Sequence, residues 1–312
     1  MLKPRVLFMG TPVFAVPALQ RLVAHGYPVI GVVTQPDRPQ GRGRALAPSP
    51  VKRLALDLGL PLFQPEKVRD PSFLAAYRDL APDAVAVAAF GQILPREILS
   101  GAAWGCINIH PSLLPRYRGA APIRWTLIRG EEKTGVTIMR MDEGVDSGDI
   151  LLQEETSIGP EETYGMLHDR LAALGAELLL IALAMLQAGT LAPRPQDHRL
   201  ATMAPRLGRE DGLIRWDKDH RGIVSLIRAL SPSPGAYTCL AGRQLKVYAA
   251  RAEVGVVTEA PGTVAGETAA GLRVAAGQGY VLLQELQLEG KKRLTAGEFT
   301  RGVRIAPGQV LG

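Results

Sequence analysis

Cysteine is scarce: Cys106 and Cys239 are the only two in 312 residues, and no CxxC pair is present. A disulfide framework and a thiolate zinc cluster are therefore excluded, and a reducing compartment is the simplest setting. Long hydrophobic runs are lacking too. The longest, residues 171–186, falls short of the ~20 residues of a membrane span and carries Glu177 near its middle, so it reads as a buried core helix. The first apolar run, residues 6–9, is short and leads straight into Gly10-Thr11-Pro12, which gives no sign of a secretory leader. A cytoplasmic protein with no membrane partner is the expectation. Three ligand signatures are missing as well. The turn after the first strand carries no GxGxxG, and the chain has neither a GxxxxGKS/T loop nor a GxSxG elbow. NAD binding, P-loop ATP hydrolysis and serine-hydrolase chemistry are thus poor first choices.

What is present is ordinary globular material, 46% hydrophobic and 21% charged, in an amount that suits two domains of roughly 100–200 residues each. The charge is informative in its distribution. The net of +6 collects in two places. Residues 34–53 hold five bases, Arg38, Arg42, Arg44, Lys52 and Arg53, against Asp37 alone, and from Arg206 onward fifteen bases face ten acids. Two basic regions on a slightly acidic body suit a polyanion gripped at two points, although solvated faces would give the same counts.

The first half alternates short apolar runs with helical spacing, as a parallel α/β sheet requires. Strands are expected at residues 5–9, 28–34, 84–89, 104–109, 134–141 and 150–156, and helices at 14–25, 50–58 (with Ser49 as its cap), 71–80 and 161–187. Residues 1–188 therefore read as one doubly wound domain. Across 189–208, Gly189, Pro193, Pro195, Pro205 and Gly208 break all periodicity, the mark of a linker. Residues 209–312 then offer one helix, 219–230, and short strands at 236–240, 244–249, 262–265, 272–275 and 280–283. Short strands with glycine turns argue for a small β-barrel domain.

Chemistry concentrates near the middle of the chain. In Trp104-Gly-Cys-Ile-Asn-Ile-His110 the side chains of Cys106, Asn108 and His110 share one face of a strand. An amide and an imidazole thus emerge together at a carboxyl end, where open α/β sheets bind ligands. Asn108 can donate to an oxygen that gains charge, and His110 can donate beside it or shuttle a proton; a hydrogen-bonded turn would use the same pair. Prolines at both ends of residues 111–122 stiffen the next turn, and Ser112 to Pro115 could wall a flat ligand. The acidic loop Met141-Asp-Glu-Gly-Val-Asp-Ser-Gly-Asp149 suggests calcium, but the sixth position from Asp142 is not glycine and the twelfth is Gln153, so the spacing fails. One of its carboxylates could instead orient His110 or take a proton from an amine. Cys106 reads as a small buried core residue rather than a nucleophile.

Five stretches together, RVLFMGTPVFAVPAL (5–19), QPDRPQGRGRALAPSPVK (35–52), FGQILP (90–95), NIHPSLLPRYRGAAPI (108–123) and MDEGVDSGDIL (141–151), resemble the methionyl-tRNA formyltransferase family. Asn-x-His-Pro-Ser-Leu-Leu-Pro with a later Asp is shared by folate-dependent formyltransferases at large, whereas PDRPxGRG followed by PSPVK singles out the tRNA branch. The likeness continues weakly through residues 211–216, 227–232 and 290–292. It implies formyl transfer from 10-formyltetrahydrofolate, a co-substrate, to the α-amino group of methionine on initiator tRNA, without a metal. It implies Asn108, His110 and Asp146 as the catalytic trio and Ser112, Leu113, Leu114 and Pro115 against the folate. The implied fold is a Rossmann-like formyltransferase domain followed by an OB-like barrel, which grips the tRNA acceptor arm together with Arg38, Arg42 and Arg44 of the loop after the second strand. That loop should lack order until RNA arrives. The C-terminal stretch, residues 304–312, looks short for the family, and a monomer is expected. The alternatives are a formyltransferase acting on a sugar-nucleotide amine, against which the arginine loop speaks, and a catalytically silent RNA-binding protein on the same scaffold.

Overall fold

The computed structural model describes residues 2–40 and 45–312, and the chain divides into two compact units. Residues 1–119, 133–157 and 168–204 form the first, and residues 120–132, 158–167 and 205–312 the second. In chain order the first contains β1 (Val6–Gly10), α1 (Val16–Ala24), β2 (Val29–Val33), a ribbon of β3 (Arg38–Gln40) and β4 (Ala45–Ala47), α2 (Pro50–Asp57), β5 (Leu62–Phe63), α3 (Pro71–Leu80), β6 (Ala84–Ala88), α4 (Arg96–Gly101) and β7 (Cys106–His110). Helix α5 (Pro122–Ile128), part of the second unit, comes before β8 (Lys133–Arg140), β9 (Ile150–Ser157) and the long α6 (Tyr164–Ala188), whose first turn is counted with the second unit.

Seven strands make one sheet in the order β5-β2-β1-β6-β7-β8-β9, parallel from β5 to β7 and antiparallel at β8 and β9. Strands β1, β6 and β7 are buried along their whole length, the pattern of parallel strands covered on both faces. Alternation sorts their side chains. Leu7, Met9, Val85, Val87 and Cys106 share one core with residues of α3 and α4. Ile109 turns to the other face, where Gly175 of α6 approaches so closely that a Cβ there would collide with it. Ser49 caps α2 as expected, its hydroxyl accepting the Lys52 N–H at 3.0 Å. Helix α6 is long and apolar enough, by length and composition, to cross a membrane. Within the first unit, however, Leu171, Leu179 and Leu183 are fully buried and Glu177 pairs with Arg21 of α1 at 2.6 Å, so it serves as a core helix.

After α5, the second unit holds α7 (His220–Leu230), β10 (Ala236–Leu240), β11 (Arg243–Glu253), β12 (Val264–Thr268), β13 (Gly271–Ala275), β14 (Tyr280–Leu288), β15 (Leu294–Thr295) and α8 (Ala296–Gly302). Its antiparallel sheet runs β10-β11-β14-β13-β12, with β15 added on β14. Register shifts at Val247, Ala249 and Ala250 bend β11, as bulges do in barrels. The end of the chain bridges the sheet edges. Val264 N–H donates to Gln309 O, Leu311 N–H to Gly262 O and Gly312 N–H to Cys239 O, so residues 309–312 tie the β12 end to β10. Leu311 is buried in one core with Trp216 and Phe299. The stretch that looks short in sequence is therefore a strap that closes the β unit.

Candidate active site

Strand β7 carries two polar side chains to the carboxyl edge of the first unit's sheet. Asn108 is 8% exposed, and its amide has no hydrogen-bond partner among the described residues. Buried polar groups are rarely left so. His110, 3% exposed, has an oxygen neighbour at each ring nitrogen. Its Nε2 lies 3.0 Å from the carbonyl oxygen of Tyr117, and because a carbonyl can only accept, Nε2 carries the hydrogen. In the neutral ring Nδ1 is then the lone-pair nitrogen, and it faces Asp146 Oδ2 at 3.6 Å. Asp146 Oδ2 also accepts the Gly119 N–H at 2.8 Å, and the Asp146 backbone stands at φ 47°. A non-glycine residue in that left-handed region is strained by roughly 1–2 kcal/mol, and such strain clusters where a side chain must be aimed. The trio expected from the motifs is thus gathered in one place.

The turn after β7 divides its four expected folate residues into two pairs. Ser112 is fully buried and its hydroxyl donates to Arg116 O at 2.7 Å, and Leu114 is buried with Met139 and Ile150. Leu113 and Pro115 remain partly exposed. What holds the turn is Thr137 of β8. Its hydroxyl donates to Ser112 O at 2.7 Å and accepts from the Leu114 N–H at 3.1 Å and from Gln153 Nε2 at 2.8 Å. Gln153 Nε2 also donates to Leu114 O at 3.0 Å. Nothing in the local sequence around Thr137 or Gln153 signals this clasp. Cys106 lies on the same strand face as the trio but is fully buried, its Sγ donating to Ile98 O at 3.3 Å, and burial pushes its thiol up to about 12. A thiol so placed does not supply a thiolate at neutral pH.

Arg38 is exposed at the start of the β3–β4 ribbon, and Arg42 and Arg44 lie outside the described residues. The expectation of an unpaired loop is corrected over residues 38–40 and 45–47, which pair in an antiparallel ladder and so satisfy one another's backbone groups. Lys52 pairs with Asp37 at 2.7 Å and Gln64 donates to the same carboxylate at 2.9 Å, contacts that hold Asp37 below its ordinary range. Lys52 is therefore neutralised, while the Arg38 guanidinium has no partner among the described residues. Beside it, where the strand order reverses at β1, a cleft of about 350 Å³ is lined by Thr11, Gln35, Arg38, Ser49 and Phe90. Open α/β sheets bind ligands at such switch points.

Among known proteins, the formyl transferase family profile matches residues 3–183 and that of the formyl transferase C-terminal domain residues 206–304. A methionyl-tRNA formyltransferase of Syntrophus aciditrophicus is 55% identical over 100% of both chains. Another, of Geotalea daltonii, is 51% identical over 99% of this chain and 98% of its own. In fold, HypX from Aquifex aeolicus in complex with tetrahydrofolic acid has a TM-score of 0.63 at 18% identity, covering 97% of this chain and 49% of that one. The alternatives of a sugar-nucleotide acceptor or a silent RNA-binding protein are not favoured by these matches. Identity that high, sustained from end to end and through both matched domains, means that the chain belongs to the methionyl-tRNA formyltransferase family.

Proposed function

We propose that the protein transfers the formyl group of 10-formyltetrahydrofolate to the α-amino group of methionine on initiator tRNA. The observation that carries this reading is the unused, nearly buried amide of Asn108 on the strand that also presents His110 to Asp146, in a chain of this family. Asn108 donates to the formyl oxygen as charge builds there during attack by the amine, the kind of contact that lowers such barriers most. His110 Nδ1, the nitrogen not engaged by Tyr117, takes the proton the amine sheds, and Asp146 supports the imidazolium so formed. The carbon–nitrogen bond to the folate then breaks and the departing nitrogen recovers a proton. Atoms and protons balance without a covalent enzyme intermediate. Leu113 and Pro115, on the open side of the turn, wall the folate.

The polyanionic partner draws on cations that the fold leaves unpaired. In the second unit a cleft of about 510 Å³ is rimmed by Arg124, Arg206, Arg209 and Lys246. Arg124 is committed to Ala229 O and Ser233 O, and Lys246 to Pro234 O. Arg206 and Arg209 have no partner among the described residues, so these two and Arg38 suit tRNA phosphates, with Arg42 and Arg44 assigned alongside by sequence. The test offers 10-formyltetrahydrofolate with charged initiator tRNA, charged elongator tRNA and an amino-sugar nucleotide in parallel. Transfer to the initiator alone is expected, and transfer to the sugar alone would overturn the acceptor assignment. Asp146→Asn should fold normally and lose most activity; near-normal turnover would remove Asp146 from the mechanism.

A further inference from the structure

Residues 194–204 read as linker in the sequence, yet they are laced to the catalytic loops of the first unit. Arg194 and Ile150 exchange both backbone hydrogen bonds at 2.8 Å, Arg118 N–H donates to Thr202 O at 2.8 Å, and Ala204 N–H donates to Arg118 O at 2.7 Å. Gln196 lies at the centre of this lacing and is 6% exposed. Its Oε1 accepts from Nε and Nη2 of the buried Arg118, at 3.1 and 2.6 Å, and Arg118 Nη2 also meets His198 Nδ1 at 3.1 Å. Its Nε2 donates to the carbonyl oxygens of Asp146 and Gly148, at 2.9 and 2.7 Å. One amide therefore takes a guanidinium on one side and clasps the two carbonyls flanking Ser147 on the other. A cation at Oε1 polarises the amide and strengthens both of its donors. The clasped carbonyls belong to the turn that keeps Asp146 at φ 47°, a conformation that needs outside support to persist.

We propose that Gln196 is a positioning residue of the transfer reaction: backed by Arg118, it keeps Asp146 in the left-handed turn from which its carboxylate faces His110. This rests on the role given to Asp146 above. Gln196→Glu is nearly isosteric, keeps an acceptor for Arg118 and deletes both N–H donors; Gln196→Met removes the donors without adding charge and guards against a folding defect in the first variant. Because a misplacement of about 1 Å at a reacting group can cost roughly 10²-fold, kcat should fall about 10- to 100-fold in either variant with KM for both substrates close to that of the parent. Both variants deprive two carbonyls of a buried donor, and Gln196→Met also deprives Arg118 of its acceptor, so thermal unfolding should move down somewhat while the variants still fold. In an Asp146→Asn background, Gln196→Glu should add nothing further to the loss of single-turnover rate, since it acts through a group already removed. A fall in thermal stability with kcat intact, or the same multiplicative loss in the Asp146→Asn background, overturns the proposal. A fully active Gln196→Glu beside an inactive Asp146→Asn overturns it alone; a fully active Asp146→Asn overturns both it and the reading on which it rests.

Discussion

The acidic loop after β8 and the basic segment after β2 are both charged and both follow strands of the same sheet, but they are built in opposite ways. In the acidic loop two of the four carboxylates and the backbone on either side of Ser147 are tied down by hydrogen bonds. Asp142 accepts the Gly144 N–H at 3.1 Å and the Ser147 hydroxyl at 2.8 Å, Asp146 accepts from Gly119, and Gln196 clasps the backbone on either side of Ser147. The basic segment is anchored at its ends, by a Thr34–Ser49 hydroxyl pair at 2.8 Å and by Asp37 with Lys52 and Gln64, and it presents Arg38 and Leu46 to solvent between them. Under the proposed function the difference follows from the partner. A carboxylate that serves a small reacting centre must be held within about 0.5 Å. A cation that meets a phosphate chain works through a field that reaches roughly 8–10 Å, so charge and accessibility matter more than exact placement.

Three substitutions sharpen this contrast. The largest effect belongs to the held edge: Asn108→Ala removes an amide whose donors are free among the described residues and should lower kcat by about 10²- to 10³-fold with folding unchanged, measured by single-turnover formyl transfer. Turnover within a few-fold of the parent would mean that the free amide is not the oxyanion donor. Next comes the clasp on the folate turn. Thr137→Val keeps shape but strips Ser112 O and the Leu114 N–H of their common partner, and a buried unsatisfied group costs about 1–3 kcal/mol. Urea unfolding should show a loss of that size, together with a higher KM for the folate and an unchanged KM for tRNA; a fully stable variant would show that the turn holds itself. The smallest effect falls on the displayed segment. Arg38→Ala should leave kcat and stability alone, weaken tRNA binding a few-fold and flatten the slope of log affinity against log salt by about 0.7–0.9. An unchanged slope would place the ribbon outside the RNA site.

The trio and its strand are legible in sequence because their signals are local. Alternation across residues 104–110 sends Cys106 to the α3 and α4 core and Ile109 to α6, and Ser49 before Pro50 announces a helix that it does cap. Other elements stay hidden for equally physical reasons. Pro122 reads as the end of a stiff turn, but proline is also at home in the first turn of a helix, and α5 starts there. The β3–β4 ladder is only three residues a side, Arg-Pro-Gln against Ala-Leu-Ala, so no alternating run betrays it. Thr137 and Gln196 find partners 25 and 50 residues away, beyond the reach of any periodicity.

By itself the sequence determined the chemical inventory, an amide, an imidazole and a carboxylate in motifs of this family, and the larger strands and helices around them. Those follow from side-chain period and local backbone preference, which act over a few residues. Only the tertiary structure decided that Asn108 is left with free donors, that Tyr117 takes the Nε2 hydrogen of His110 and leaves Nδ1 facing Asp146, and that a stretch with the composition of a linker braces the catalytic loop. Each of these is a question of which buried donor meets which acceptor, and that is settled when segments far apart in the chain pack together and must satisfy one another without water.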